Sequence, residues 1–293
     1  MKIVIVPDAE AVGRYAAERI AATIRSAAGR PAPSAVSGAS GASTADRSAA
    51  SGGREATGAV LGVATGSSPL GTYAELARRV RAGEIDTAGV SAFALDEYLG
   101  LDPTHPESYH SVIRRSVTEP LGLDPRRVHV PDGAAADIRA ACLDYERRIR
   151  EAGGIDLQLL GIGANGHIGF NEPTSSFASR TRLKTLAPRT RIDNARFFGS
   201  LDEVPLHCVT QGLGTILEAR QLLLVAHGEA KADAVARMVE GPLAAVCPAS
   251  ALQLHPDATV VIDRAASSLL RLTDYYEHVQ RNLPEHAGTG AAP

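Results

Sequence analysis

The chain has 293 residues, 44% of them hydrophobic, with a formal net charge of −3 and three cysteines. That length and apolar content support a sizeable α/β core, and the near-neutral balance excludes the polycationic footprint of a nucleic-acid or anionic-membrane binder. No apolar run approaches the roughly 18 residues that span a bilayer, MKIVIVPDAE is too short in its apolar part for a secretory leader, and Cys142, Cys208 and Cys247 stand at no metal-ligand spacing, so reduced thiols in a cytoplasmic protein are expected, packed as small hydrophobes.

MKIVIV (1–6) is rich in β-branched residues and reads as a buried strand. Asp8 is placed to cap the segment after it, where Val12, Ala16, Ile20 and Ile24 recur at helical spacing. Residues 31–57 are almost entirely Pro, Ala, Ser, Gly and Thr, which cannot bury enough apolar surface to offset their ordering entropy. They read as a disordered surface insertion within one domain of residues 1–282, and 283–293 as a frayed tail. Further apolar runs follow at 59–64, 90–95, 155–163, 221–226 and 258–263, with helical stretches such as 138–152 and 231–241 between them. Continuous apolar strands alternating with helices predict an open, mostly parallel sheet, doubly wound in the Rossmann manner with helices on both faces.

Three stretches after predicted strands carry polar chemistry. GVATGSSPLGTY (62–73) sets Thr65, Gly66, Ser67 and Ser68 before a helix start at Pro69. Hydroxyls and free amides there suit a phosphate, and the absence of a P-loop lysine argues against a nucleoside triphosphate; an ordinary serine cap is the alternative. FALDEYLGL (93–101) ends a strand on Asp96 and Glu97, acids suited to proton transfer or merely to a helix N-terminus. LGIGANGHIGFNEP (160–173) contains G-x-G-x-x-G at Gly161, Gly163 and Gly166, yet Gly169 and Pro173 forbid the helix a dinucleotide site needs, and no strand ending in an acid follows on schedule. The glycines therefore read as a tight turn at a strand end that approaches a ligand closely. What remains is a loop carrying Asn165, His167, Asn171 and Glu172, in which the carboxylate can orient the imidazole for acid–base work; a solvated histidine with a capping glutamate is the alternative.

Taken together, TGSSPLGTY, FALDEYLGL, HPESYHSVI (105–113), LGIGANGHIGFNEP, SRTRLKTL (179–186) and LQLHP (252–256) closely resemble the glucosamine-6-phosphate deaminase family from residue 1 to about 280, apart from the 31–57 insertion. The resemblance implies a Rossmann-like fold shared with ribose-5-phosphate isomerase, the sugar-phosphate lactonases and coenzyme A transferases. It implies conversion of glucosamine 6-phosphate and water to fructose 6-phosphate and ammonia, with no metal or organic cofactor. On this basis His167, positioned by Glu172 with Asn165 beside them, opens the pyranose ring, and Asp96 moves the proton from C2 to C1. Ser67, Ser68, Arg196 and Lys231 bind the phosphate, and Thr65, Gly66 and Gly166 line the substrate.

The chain has just three lysines, Lys2, Lys184 and Lys231, so a retained lysine among so many arginines suggests a specific task. Lys184 matches an effector site of allosteric hexameric relatives, where Ser175, Ser176, Arg182, Lys184 and Tyr275 would bind N-acetylglucosamine 6-phosphate. Asn165 stands where those relatives carry an aspartate, and monomeric relatives without activation also exist, so regulation and a homo-oligomeric state stay open. The expected partner is a small sugar phosphate, with neither nucleic acid nor membrane. Two other readings are a 6-phosphogluconolactonase-like hydrolase and a sugar-phosphate-sensing module without catalysis. FALDEYLGL and FNEP weigh against the first, and the lack of a helix-turn-helix ahead of the first strand weighs against the second.

Overall fold

The computed structural model describes residues 1–28 and 58–282; the insertion expected at 31–57 and the tail expected at 283–293 lie outside the described residues. In chain order the strands are β1 (Lys2–Val6), β2 (Val60–Val63), β3 (Ser91–Ala94), β4 (Asp96–Tyr98), β5 (Val128–His129), β6 (Leu157–Leu160), β7 (Arg182–Thr185), β8 (His207–Thr210), β9 (Gln221–Ala226) and β10 (Ala258–Asp263). The helices are α1 (Ala9–Ala27), α2 (Leu70–Arg81), α3 (Tyr109–Ile113), α4 (Ile138–Glu151), α5 (Pro188–Asn194), α6 (Leu213–Leu217), α7 (Ala232–Val239) and α8 (Thr273–Asn282). Among the described residues no helix is long and apolar enough to cross a membrane.

Seven strands form a parallel sheet in the order β1-β10-β9-β6-β2-β3-β5. Side chains alternate across it between two buried faces, which is why its strands are mostly apolar, with Gln158 of β6 and Thr259 of β10 buried among them. On β9, Leu222 and Leu224 enter one core with Tyr145, Ile149, Ile216 and Val235, from α4, α6 and α7. Leu223 and Val225 enter the other with Val12, Ile20 and Leu76, from α1 and α2. The helix starts follow local chemistry: Asp8 accepts from the Ala11 amide at 2.8 Å, and Asp137 from Ala140 at 2.9 Å.

A second sheet of three antiparallel strands, β4-β8-β7, stands beyond the carboxyl ends of the first. This corrects the reading of 90–97 as one strand ending on two acids. β3 stops at Ala94, the chain bends at Leu95, and Asp96 opens a new strand in a different sheet. A small aromatic core of Tyr98 and Phe170, with Tyr109 and Phe198 against it, fills the space beneath.

Candidate active site

The chain leaves β1 for β2, moves outward through β3 to β5, and returns to the other side of β2 with β6. A crevice opens where the winding reverses, at the carboxyl ends of adjacent strands. There lies a cleft with about 580 Å³ of empty space, lined by Thr65–Ser68 after β2, Asp96 after β3, and Gly161, Gly163, His167, Gly169 and Phe170 after β6. Buried tyrosines hold two of these ends. Tyr73 of α2 bonds both the carbonyl (2.8 Å) and the amide (3.0 Å) of Ala64, and Tyr145 of α4 donates to the Ala94 carbonyl at 2.6 Å.

Asp96 and Glu97 are adjacent and both buried, yet they part company. Successive strand residues face opposite sides. Glu97 turns away from the cleft and accepts from the Tyr98, Tyr109 and His110 amides and the Ser108 hydroxyl, so its charge is spent anchoring the start of α3. Asp96 faces the cleft. Burial, and then the Glu97 charge, push its carboxyl from the ordinary 3.8 up to about 8, with the Phe170 amide and Thr210 hydroxyl working the other way. A carboxylate titrating there can accept and return a proton near neutral pH.

The loop after β6 brings His167 and Glu172 together through a third residue. His167 Nδ1 stands 3.6 Å from Glu172 Oε2, too far for a direct hydrogen bond. Asn165 bridges them: its Nδ2 donates to Glu172 Oε2 at 2.8 Å, and its Oδ1 meets His167 Nδ1 at 2.8 Å. A carboxylate only accepts, so the amide must present nitrogen to Glu172 and oxygen to the imidazole. That assigns a proton to Nδ1. Burial pushes the Glu172 carboxyl up, but His167, the Thr190 hydroxyl and the Ala187 amide outweigh it and hold it at about 2. The two carboxylates are thus driven apart, one permanently ionised and one poised to exchange a proton.

The glycines do different work from one another. A Cβ on Gly163 would lie 2.2 Å from the His167 ring, so that glycine makes room for the imidazole rather than for a ligand. Gly166 has φ of +86° and packs against Cys247. Gly161 makes only ordinary contacts with Ser68.

At the other end of the cleft, neither Ser67 nor Ser68 caps α2, whose N-cap position is Pro69 and which has no side-chain cap, and Gly66 turns the loop at φ of +90°. The serines line the cleft at an uncapped helix N-terminus, an arrangement suited to an anion. Lys231, in the turn after β9, donates to the carbonyl of cleft residue Ile162 at 2.7 Å. Burial, then the proximity of Arg196, lowers its pKa. Arg196 is exposed, next to Phe197, in the turn that follows α5.

The five effector candidates share no hydrogen bond among the described residues. The Ser175 hydroxyl is buried on the Glu172 carbonyl at 2.7 Å, Ser176 accepts from Ala178, and Lys184 shares β7 with Arg182, which donates to Asn171. Tyr275 is exposed on α8 beside Tyr276. Two cleft residues escaped the sequence reading: Tyr109 and Asn194. Asn194 donates to the Tyr98 hydroxyl at 3.0 Å, and Tyr109 leans on the same oxygen at 3.4 Å. HPESYHSVI and NARFF flagged their segments, but nothing in the sequence placed those side chains in the cleft.

Similarity to known proteins points to one family. Residues 31–261 fit the family described as glucosamine-6-phosphate isomerases/6-phosphogluconolactonase. The chain belongs to that family. Within it, the chain is 54% identical to a glucosamine-6-phosphate deaminase of Streptomyces coelicolor over 98% of its own length and 100% of the relative's. A solved monomeric glucosamine-6-phosphate deaminase superposes with a TM-score of 0.80 at 39% identity, over 92% of this chain and 100% of that one. A 6-phosphogluconolactonase from Trypanosoma cruzi has a TM-score of 0.67 at 17% identity, covering 92% and 97%, and shares the fold.

Proposed function

We propose that this family member is a glucosamine-6-phosphate deaminase, converting glucosamine 6-phosphate and water to fructose 6-phosphate and ammonia. The observation that carries the reading is a buried carboxyl, which burial pushes up to about 8, in the same cleft as an imidazole whose Nδ1 is held by Asn165 and an uncapped helix start. Ser67 and Ser68, with Lys231 and Arg196, bind the phosphate. His167 Nε2 takes the proton of the C1 hydroxyl and returns it to the ring oxygen, opening the ring. Asp96 then removes the proton from C2, next to the new carbonyl, and delivers it to C1. As the C2 proton leaves, the ammonium gives one proton to the C1 oxygen, so that protonation at C1 yields a C1 hydroxyl and an iminium at C2, which water hydrolyses to the ketone and ammonia. The substrate's own ammonium, brought beside Asp96, favours the carboxylate form the step requires. A lactone hydrolysis leaves this base without a carbon acid to act on.

The decisive assay incubates the protein with glucosamine 6-phosphate and measures ammonia and fructose 6-phosphate, with Asp96→Asn as control. Equal ammonia from both proteins, or none from the wild type, rejects the assignment. We also place the enzyme in the cytoplasm, supported by three free, buried cysteines. Effector control through Arg182 and Lys184 is tested by adding N-acetylglucosamine 6-phosphate to the same assay; an unchanged velocity curve rejects it.

A further inference from the structure

Asn171 lies between the two residues assigned to ring opening and the turn that touches the base, and its side chain is fully buried. Its Nδ2 donates to the Ile168 carbonyl at 3.0 Å and to the Gln211 carbonyl at 2.8 Å, and its own amide returns to Ile168 at 3.2 Å. Its Oδ1 accepts from Arg182 Nη1 at 2.9 Å. Every polar group of that side chain is engaged, which pins the turn 168–171 from three sides.

The turn rests on the small sheet. Asp96 pairs with Thr210 on one side, and Arg182 pairs with Thr210 on the other, so Asp96, Thr210 and Arg182 form one row across β4, β8 and β7. The Phe170 amide donates to Thr210 Oγ1 at 3.1 Å. Gly169, at φ of +53°, passes so close that a Cβ there would meet Thr210 Oγ1 at 3.0 Å and Asp96 Oδ2 at 3.4 Å. Arg182 is half-buried, and among the described residues it has no carboxylate partner; its guanidinium goes to Asn171 and the Arg180 carbonyl. Keeping a cation in such a place without a counter-charge is costly unless the contact it makes has a use.

We propose that Asn171, braced by Arg182, is a positioning residue that locks the His167–Glu172 turn onto the Asp96–Thr210–Arg182 row and so fixes the ring-opening pair and the carbon base at one spacing. This rests on the deaminase reading above. Arg182 therefore serves the resting enzyme, with no effector bound. A misplacement of about 1 Å in a catalytic group costs on the order of a hundredfold in rate, so loosening this strut should appear in kcat while substrate binding, which depends on the other end of the cleft, is retained.

The test compares wild type with Asn171→Ala, Arg182→Leu and Arg182→Lys, each corrected for the folded fraction. Expected are kcat losses of about fiftyfold for Asn171→Ala and about tenfold for Arg182→Leu, with KM within about threefold, and partial recovery in Arg182→Lys. The pH–rate limb of Asn171→Ala should also move upward, because the Phe170 amide withdraws from Asp96. An Arg182→Leu enzyme with wild-type kcat, a KM that rises as kcat falls, or no recovery with lysine overturns the proposal. If Asn171→Ala does not fold, the Arg182 pair decides. A wild type that releases no ammonia defeats the reaction assignment instead. In that event the His167 imidazole signals in an NMR spectrum still decide: a shift in Arg182→Leu supports the strut, and an unchanged spectrum refutes it.

Discussion

The two sheets handle polar chemistry in opposite ways. The seven-stranded sheet is mostly apolar, and the phosphate ligands proposed for it (Ser67, Ser68, Lys231) sit in the turns beyond its strands, all three exposed or half-exposed and reachable by a ligand. The three-stranded sheet carries polar residues within its strands, where Asp96, Thr210 and Arg182 share a buried or half-buried row. Placement on a strand buries the Asp96 carboxyl and lifts it to about 8, whereas Glu172, on a loop rich in donors, is held at about 2. The difference suggests a division of labour: ends of the large sheet bind substrate, and the small sheet with its overlying turn performs the proton transfers.

The largest test of that division is Asp96→Asn. Loss of a general base should lower kcat by about 10³, with KM nearly unchanged. In the wild type, kcat/KM should rise with pH toward a limb near 8, set by the free enzyme's base. Stability runs the other way. The folded protein holds a proton on Asp96 that the unfolded chain releases above the ordinary 3.8, so this group's contribution is full below about pH 4 and lost as pH rises to about 8. Urea unfolding from pH 5 to 9 should show a decline that Asp96→Asn flattens; an equal decline in both proteins would contradict the burial argument.

Glu172→Gln probes the opposite carboxylate. Its folded pKa, about 2, lies below the ordinary 4.5, so its stabilisation is present above pH 4.5 and disappears as pH falls toward 2. The span corresponds to about 3 kcal/mol. Acid unfolding of the glutamine variant should lack that portion of the pH dependence, and its kcat should drop because the Asn165 amide loses the charge that fixes its orientation.

The large sheet was legible because burial on both faces writes most of its strands as largely apolar runs; only β5, two residues long, gave no such signal. Asp8 as a cap and the phosphate-loop and histidine-loop residues were legible for the same reason, local chemistry adjoining a local pattern. The small sheet was not. Its strands DEY, RLKT and HCVT are three or four residues long and polar, and their partners are distant in sequence. Asp96 and Glu97 look equivalent as letters; only the pleat separates a carboxyl facing the cleft from an anchor for α3. Likewise His167 and Glu172 appeared as a direct pair, and the Asn165 bridge emerged only from the loop's path.

Lys231 tests the binding half of the division with the smallest effect. Its ammonium, steadied by the Ile162 carbonyl, stands close enough to Arg196 to feel its charge. Two cations sharing a region repel each other until an anion arrives between them, so the phosphate relieves a cost as well as gaining a partner. Removing one hydrogen bond to a charged group typically costs about 1.5–3 kcal/mol. Lys231→Ala should therefore raise KM by about ten- to a hundredfold while leaving kcat within a few-fold, and inorganic phosphate should inhibit it more weakly by a similar factor. Lys231→Arg keeps the charge but not the compact donor that fits the Ile162 carbonyl, so its KM should fall between the two. A kcat loss that matches the KM rise would place Lys231 in the chemistry and dissolve the boundary between the two sheets' roles.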